Sequence, residues 1–175
     1  MVLSGDAAVE EKTKAPEKEG NLMKKIEGWV TAPQGFIAAG VKAGIKASGN
    51  HDVAVIFSTV PAACGAVFTQ NKMCAAPVLV SREVNKHGYA QAIAVNSGCA
   101  NACTGEQGLV DAKKMQAHTA ELLGISPAAV FVCSTGVIGQ FLPMDKLLTG
   151  IADAVDSLDE CEGESCAMAI QTTDT

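Results

Sequence analysis

A chain of 175 residues, 48% hydrophobic but only 4% aromatic, is long enough for one domain whose core must be built from Ala, Val, Ile and Leu. A net charge of −6, with Lys and Arg scattered rather than gathered into a stripe, excludes a nucleic-acid surface. No apolar run approaches the roughly 18 residues that span a bilayer, which excludes a membrane partner.

The opening MVLSGDAAVEEKTKAPEKEG is acidic and lacks an apolar signal region. It is also too poor in Arg and Ser for a transit peptide. It reads as a disordered acidic N-terminal arm over residues 1–25, ahead of one α/β domain over 26–175. The expected compartment is the cytoplasm, or a plastid or mitochondrial matrix if a targeting peptide has been removed upstream of Met1.

From GWVTAPQG onward the composition is globular. FIAAGVKAGIK, between turns at Pro33-Gln34-Gly35 and Ser48-Gly49-Asn50, predicts a strand or hairpin with glycine bends. DVAVIFS (52–58) predicts a buried strand, and CGAVFTQ (64–70) and APVLVSR (76–82) predict two more. SREVNKHG (81–88) predicts one or two helical turns closed by Gly88, and AQAIAVNSG (90–98) a further strand. GEQGLVDAKKMQAHTAELLG carries Leu109, Ala112, Met115, Leu122 and Leu123 on one helical face, with Gly124 suited to the C-terminal cap. After the short strand VFVCS, Met144, Leu147, Leu148, Ile151, Val155 and Leu158 recur at helical spacing, with Pro143 near the first turn. CAMAIQ (166–171) fits the inner face of a last, interrupted helix. The fold class is therefore α/β with a mixed sheet, since short early connections imply antiparallel pairs.

Seven cysteines, an odd number without a signal peptide, argue for reduced thiols rather than a disulfide framework. Cys99 and Cys103 in CANAC lack a second pair at zinc spacing, and His51, His87 and His118 are scattered, so no metal is expected. Polar small residues concentrate in NSGCANACTGEQG (96–108), STGVIG (134–139) and TTDT (172–175). The first two each follow a strand and precede a helix, where ligands usually bind in α/β folds. In STGVIG, Gly136 lets the chain approach a substrate and Thr135 adds a hydroxyl donor, which together make an oxyanion hole. The competing reading, favoured by the local sequence, is a Ser/Thr turn that satisfies its own backbone. NSGCANACTGEQG fits an anion loop feeding the N-terminus of the 106–123 helix, but Thr104 with Gln107 reads more readily as a capping box, and Asn96 and Asn101 as side chains fixing their loop. A Cys–His dyad of Cys99 or Cys133 with His118 has no local support. No GxSxG, HExxH or P-loop is present. The chain offers donors for an oxyanion and no convincing attacking group.

Taken together, GWVTAPQGFIAAGVKAGIKASGNHDVAVIFS, GAVFTQNKMCAAPV, NSGCANACTGEQG, CSTGVIGQFLPMDKLL and AIQTTDT resemble the ornithine acetyltransferase family. These are the bifunctional glutamate N-acetyltransferases and amino-acid acetyltransferases of arginine biosynthesis, and the likeness runs collinearly from Gly28 to Thr175. The resemblance implies a layered α/β sandwich and a precursor that cuts itself into α and β chains. The Thr freed at the β N-terminus would take the acetyl group from N-acetylornithine and pass it to glutamate. It implies no cofactor, acetyl-CoA as a further donor substrate in bifunctional members, and an α/β heterotetramer or larger assembly. It assigns Thr135 and Gly136 to the oxyanion hole and Thr172 to substrate contact; for Thr172 the alternative is a polar cluster ending a helix. The nucleophile, the Lys before it and the β chain fall outside these residues, so this α-chain portion is expected to be inactive alone and to expose the surface that packs on β. A non-catalytic scaffold that keeps the fold, or an aminopeptidase-type self-cleaving relative, are the alternatives.

Overall fold

The computed structural model describes residues 28–172. The arm expected over 1–25 and the last three residues of TTDT lie outside them. A four-stranded mixed sheet, ordered β1-β2-β3-β4, is formed by β1 (Phe36–Val41), β2 (Val53–Ala63), β3 (Tyr89–Cys99) and β4 (Val130–Val137). The first three strands pair antiparallel, while β4 lies parallel to β3. A parallel neighbour needs a long crossover, and the helix α2 (Gly105–Leu123) supplies it.

Side chains alternate across the sheet and so build two cores. On one face Ala39, Val53, Val55, Ala94 and Val132 pack against α1 (Ala76–Asn85), α2 and α3 (Met144–Asp156). Met115, Leu147 and Ile151 are fully buried there, each contributing about 2–3 kcal/mol of burial energy. On the other face Ala38, Ala54 and Val95 meet Cys166 and Ala169 of α4 (Gly163–Ile170). The helix comes this close because Gly40 has no side chain: a Cβ there would lie 2.0 Å from the Ser165 carbonyl oxygen. The outcome is three layers, three helices on one face and one on the other.

β4 is an edge strand, and its outward polar groups are covered by side chains. The Ser81 hydroxyl of α1 donates to the Val132 carbonyl (2.8 Å) and accepts from the Val132 N–H (3.1 Å). Gln116 of α2 donates to the Val130 carbonyl. Such covering blocks strand addition at that level.

Five local expectations are corrected. APVLVSR is the first two turns of α1, not a strand; Ala76, Pro77, Val80, Ser81 and Val84 are its buried residues, a helical period, and Pro77 sits in the first turn. The helical turns expected from 81 are the end of that helix. CGAVFTQ has no regular structure. In FIAAGVKAGIK only Phe36–Val41 is a strand; the rest is a loop folded onto the Asp52 carboxylate. Thr104 does precede α2, but its hydroxyl donates to Asn101 Oδ1 rather than capping the helix, and Gln107 reaches Asp111. Gly124 ends α2 in the left-handed conformation as expected, and Leu122 is exposed rather than part of the inner face. All seven thiols are unpaired, and among the described residues no His/Cys/Asp/Glu group could hold a metal.

Candidate active site

The parallel ends of β3 and β4 place Ser97 opposite Thr135 and Gly98 opposite Gly136. Both glycines adopt positive φ, 106° and 129°, a region that L side chains rarely enter. A Cβ on Gly136 would lie 2.4 Å from the Gly98 carbonyl carbon. The two strand ends therefore meet backbone against backbone, and any larger residue at 136 would separate them.

The loops beyond the strands are fastened to each other. Ala100 N–H donates to the Val137 carbonyl and Gly139 N–H to the Ala102 carbonyl, both at 2.9 Å. Asn96 Nδ2 donates to the Cys99 carbonyl (2.9 Å) and Asn101 Nδ2 to the Gly108 carbonyl (2.8 Å), so both asparagines fix the loop as the sequence suggests. One residue before Thr135, on the helix-layer face, Ser134 Oγ and Asn96 Oδ1 are buried without a hydrogen-bond partner among the described residues.

At this junction opens a cavity of about 600 Å³, and Gly98, Thr135, Gly136, Gln140 and Thr172 are among its lining residues, together with Ile45, Lys46 and Ser48. The structure thus brings together Thr135, Gly136 and Thr172, which come from the end of β4 and from just beyond α4. Within the described residues nothing of this cavity's lining is a cysteine, histidine or carboxylate. His118 lies elsewhere, its ring nitrogen 3.2 Å from the Leu148 carbonyl, while Cys99 is buried against the Gln140 carbonyl. No Cys–His dyad forms.

Sequence reasoning missed the wall made by residues 45–48. Its anchor is Asp52, fully buried, whose carboxylate accepts from the N–H groups of Ala43 (2.7 Å), Ile45 (2.6 Å) and Lys46 (2.9 Å). Lys46 Nζ donates to the carbonyls of His51 (2.7 Å), Ala169 (3.5 Å) and Gln171 (2.5 Å). Burial pulls the Lys46 pKa down from its ordinary range, against the opposing attraction of Asp52. Lys46 beside Ser48 has the composition of a Ser–Lys pair, but with its donors turned to carbonyl oxygens the amine has no base role here, and Ser48 Oγ accepts from the Asn50 N–H. Among the described residues the lining carries the hydroxyl residues Ser48, Thr135 and Thr172 and the amide of Gln140, and no activated nucleophile. The signal for this wall was faint: a buried Asp at the head of a strand, after a glycine-rich loop in need of acceptors.

The family model of the ArgJ family matches residues 37–175. The arginine biosynthesis bifunctional protein ArgJ of Caldanaerobacter subterraneus subsp. tengcongensis is 52% identical over 153 residues, covering 87% of this chain and 38% of that protein. The chain thus spans well under half the length of that curated relative. The ornithine acetyltransferase of Mycobacterium tuberculosis, solved with ornithine, superposes with a TM-score of 0.82 at 46% identity, covering 84% of this chain and 80% of that one. The bifunctional protein argJ of Bacillus halodurans superposes with a TM-score of 0.79 at 44% identity, over 85% of this chain and 78% of that one. Sequence along most of the described domain and the layered fold point the same way: the chain belongs to the ArgJ family.

Proposed function

We propose that this chain is the α-chain portion of a self-processing acetyltransferase that moves the acetyl group of N-acetylornithine to glutamate in arginine biosynthesis. The observation that carries the proposal is the shared cavity of Thr135, Gly136 and Thr172. A Thr hydroxyl at the N-terminus of a β chain, deprotonated by its own α-amino group, attacks the acetyl carbonyl carbon. The Thr135 hydroxyl and the Gly136 N–H receive the negative charge that develops on the carbonyl oxygen. The C–N bond breaks, ornithine leaves with the proton, and an acetyl ester remains on the Thr. The glutamate amine then attacks that ester through a second oxyanion in the same hole and restores the free hydroxyl. Thr172, at the rim, contacts the amino-acid part of the substrate. No step requires a cofactor, and acetyl-CoA enters as an alternative acetyl donor to the same Thr.

Support for a chain in two pieces comes from lengths. This chain covers 38% of a full-length relative but 80% of the solved acetyltransferase chain, as a polypeptide divided near its middle would give. The β chain is accordingly the first partner, within an α/β heterotetramer or larger assembly. In the complete processed enzyme, Thr135→Ala is expected to lower kcat for acetyl exchange by about 100-fold or more, the usual effect of losing one oxyanion donor. A wild-type rate removes Thr135 from the mechanism. Mixing this chain with a separately prepared β half should restore exchange; a folded mixture with no exchange favours a scaffold that has only kept the fold.

A further inference from the structure

The reading above leaves Lys46 without a role, although more of the site converges on it than on any other side chain. Four pieces of the structure meet there. Its backbone N–H is held by the buried Asp52 carboxylate. Its side chain lies against the end of β3, where a Cβ on Gly98 would come within 3.2 Å of Lys46 Cγ. Its Nζ donates to the His51 carbonyl on one side and to the Ala169 and Gln171 carbonyls on the other. Those last two carbonyls belong to the C-terminal end of α4, where backbone oxygens lack helical partners and a cation is favoured. The Ser97 hydroxyl donates to the same Ala169 carbonyl, and Ser97 sits opposite Thr135 in the sheet. Lys46 also lines both the cavity of Thr135 and a polar neighbouring cavity of about 420 Å³, and Lys46, Ser48 and Thr172 are common to the two.

We infer that Lys46 is a positioning residue: by gripping the last carbonyls of α4 it sets where Thr172 stands relative to Thr135 and Gly136, and so fixes how the amino-acid part of the substrate is held. This rests on the proposed function of the cavity and adds a determinant to it. Of the acceptors that Lys46 serves, Gln171 is exposed and His51 half-buried, so water can replace the amine there, while the buried Ala169 carbonyl keeps the Ser97 hydroxyl as its donor. Loss of Lys46 therefore weakens the placement of Thr172 far more than the stability of the fold.

The test uses the complete processed protein with Lys46→Met and Lys46→Arg. Lys46→Met keeps the stem along the wall and removes the donors; Lys46→Arg keeps donors and charge. The expected result for Lys46→Met is a KM for N-acetylornithine raised about tenfold or more, as for loss of a hydrogen-bonded charge, with kcat changed much less and the melting temperature nearly unchanged. Amide exchange over residues 166–172 should quicken in the same variant. Lys46→Arg should recover most of the loss. Unchanged exchange over 166–172 overturns the grip, and faster exchange with an unchanged KM overturns the positioning role. A wild-type protein that transfers no acetyl group while Lys46→Met still quickens exchange overturns the proposed function instead, leaving the grip standing, so the two failures are distinguishable.

Discussion

Ser134, Thr135 and Gly136 are consecutive, yet the structure gives them different work. Ser134 Oγ is buried with no hydrogen-bond partner among the described residues, so replacing it removes an unsatisfied group and no bond. Thr135 and Gly136 line the cavity. In the complete enzyme Ser134→Ala should leave kcat and melting temperature near wild type, in contrast to the large kcat loss of Thr135→Ala. Equal losses for the two would mean that the turn acts only as a unit of backbone. Of these residues, local sequence showed little. Gly136 alone is compatible with any Ser/Thr turn, and the favoured local reading was indeed a turn. The resemblance to the acetyltransferases picked out Thr135, Gly136 and Thr172, and the structure adds their common cavity. Lys46 and Asp52 leave only a faint trace in the sequence. A Lys in a glycine-rich loop and an Asp at a strand start are ordinary residues until tertiary folding brings three N–H groups to one carboxylate and three carbonyls to one amine.

At the scale of elements, α4 links packing to the site, because its C-terminal end carries Thr172 to the cavity while its body rests on Gly40. Gly40→Ala is expected to lift α4, break the bond from Gly40 N–H to Ser165 Oγ (3.0 Å) and destabilise the domain by about 1–3 kcal/mol through overpacking. Thiol alkylation reads this directly. In the wild type, burial pushes the Cys166 thiol up to about 11, which keeps it protonated and inert at neutral pH, while Cys103 is exposed to reagent. In Gly40→Ala, Cys166 should become reactive; protection equal to wild type would show that α4 accommodates the methyl group. The long elements were readable in advance: α2 and α3 hold their apolar period over several turns, and β2 and β3 are apolar runs bounded by turns. APVLVSR is ambiguous because its five-residue apolar run, 76–80, with three branched side chains fits strand and buried helix alike. The deciding cue was Pro77, which suits a first helical turn and would interrupt a central strand.

At the scale of the molecule, the cavity lies beside apolar surface that the described residues leave uncovered. Val137, Ile138 and Phe141 follow on Thr135 and Gly136, and Ile138 and Phe141 are 65% and 62% exposed. α4 covers the sheet over β1, β2 and β3 but makes no comparable contact with β4. Exposed apolar surface next to a polar site usually serves contact with another chain. The isolated chain should therefore self-associate at micromolar concentrations in sedimentation, and addition of a β half should convert the aggregates to a defined complex. A monodisperse monomer would show that this face is stable in water alone. The fold, the cavity and the exposed face are compatible with the proposed account, in which the chain would supply the oxyanion hole and its partner the nucleophile.

The most direct measurement is denaturing mass spectrometry, with N-terminal sequencing, of the complete protein quenched while turning over N-acetylornithine. The account predicts two chains, the second beginning with Thr and carrying one acetyl group, with this chain unmodified and the acetylated fraction greatly slowed to form in Thr135→Ala. An acetyl group on this chain, or a single uncut polypeptide that still transfers acetyl to glutamate, would contradict it.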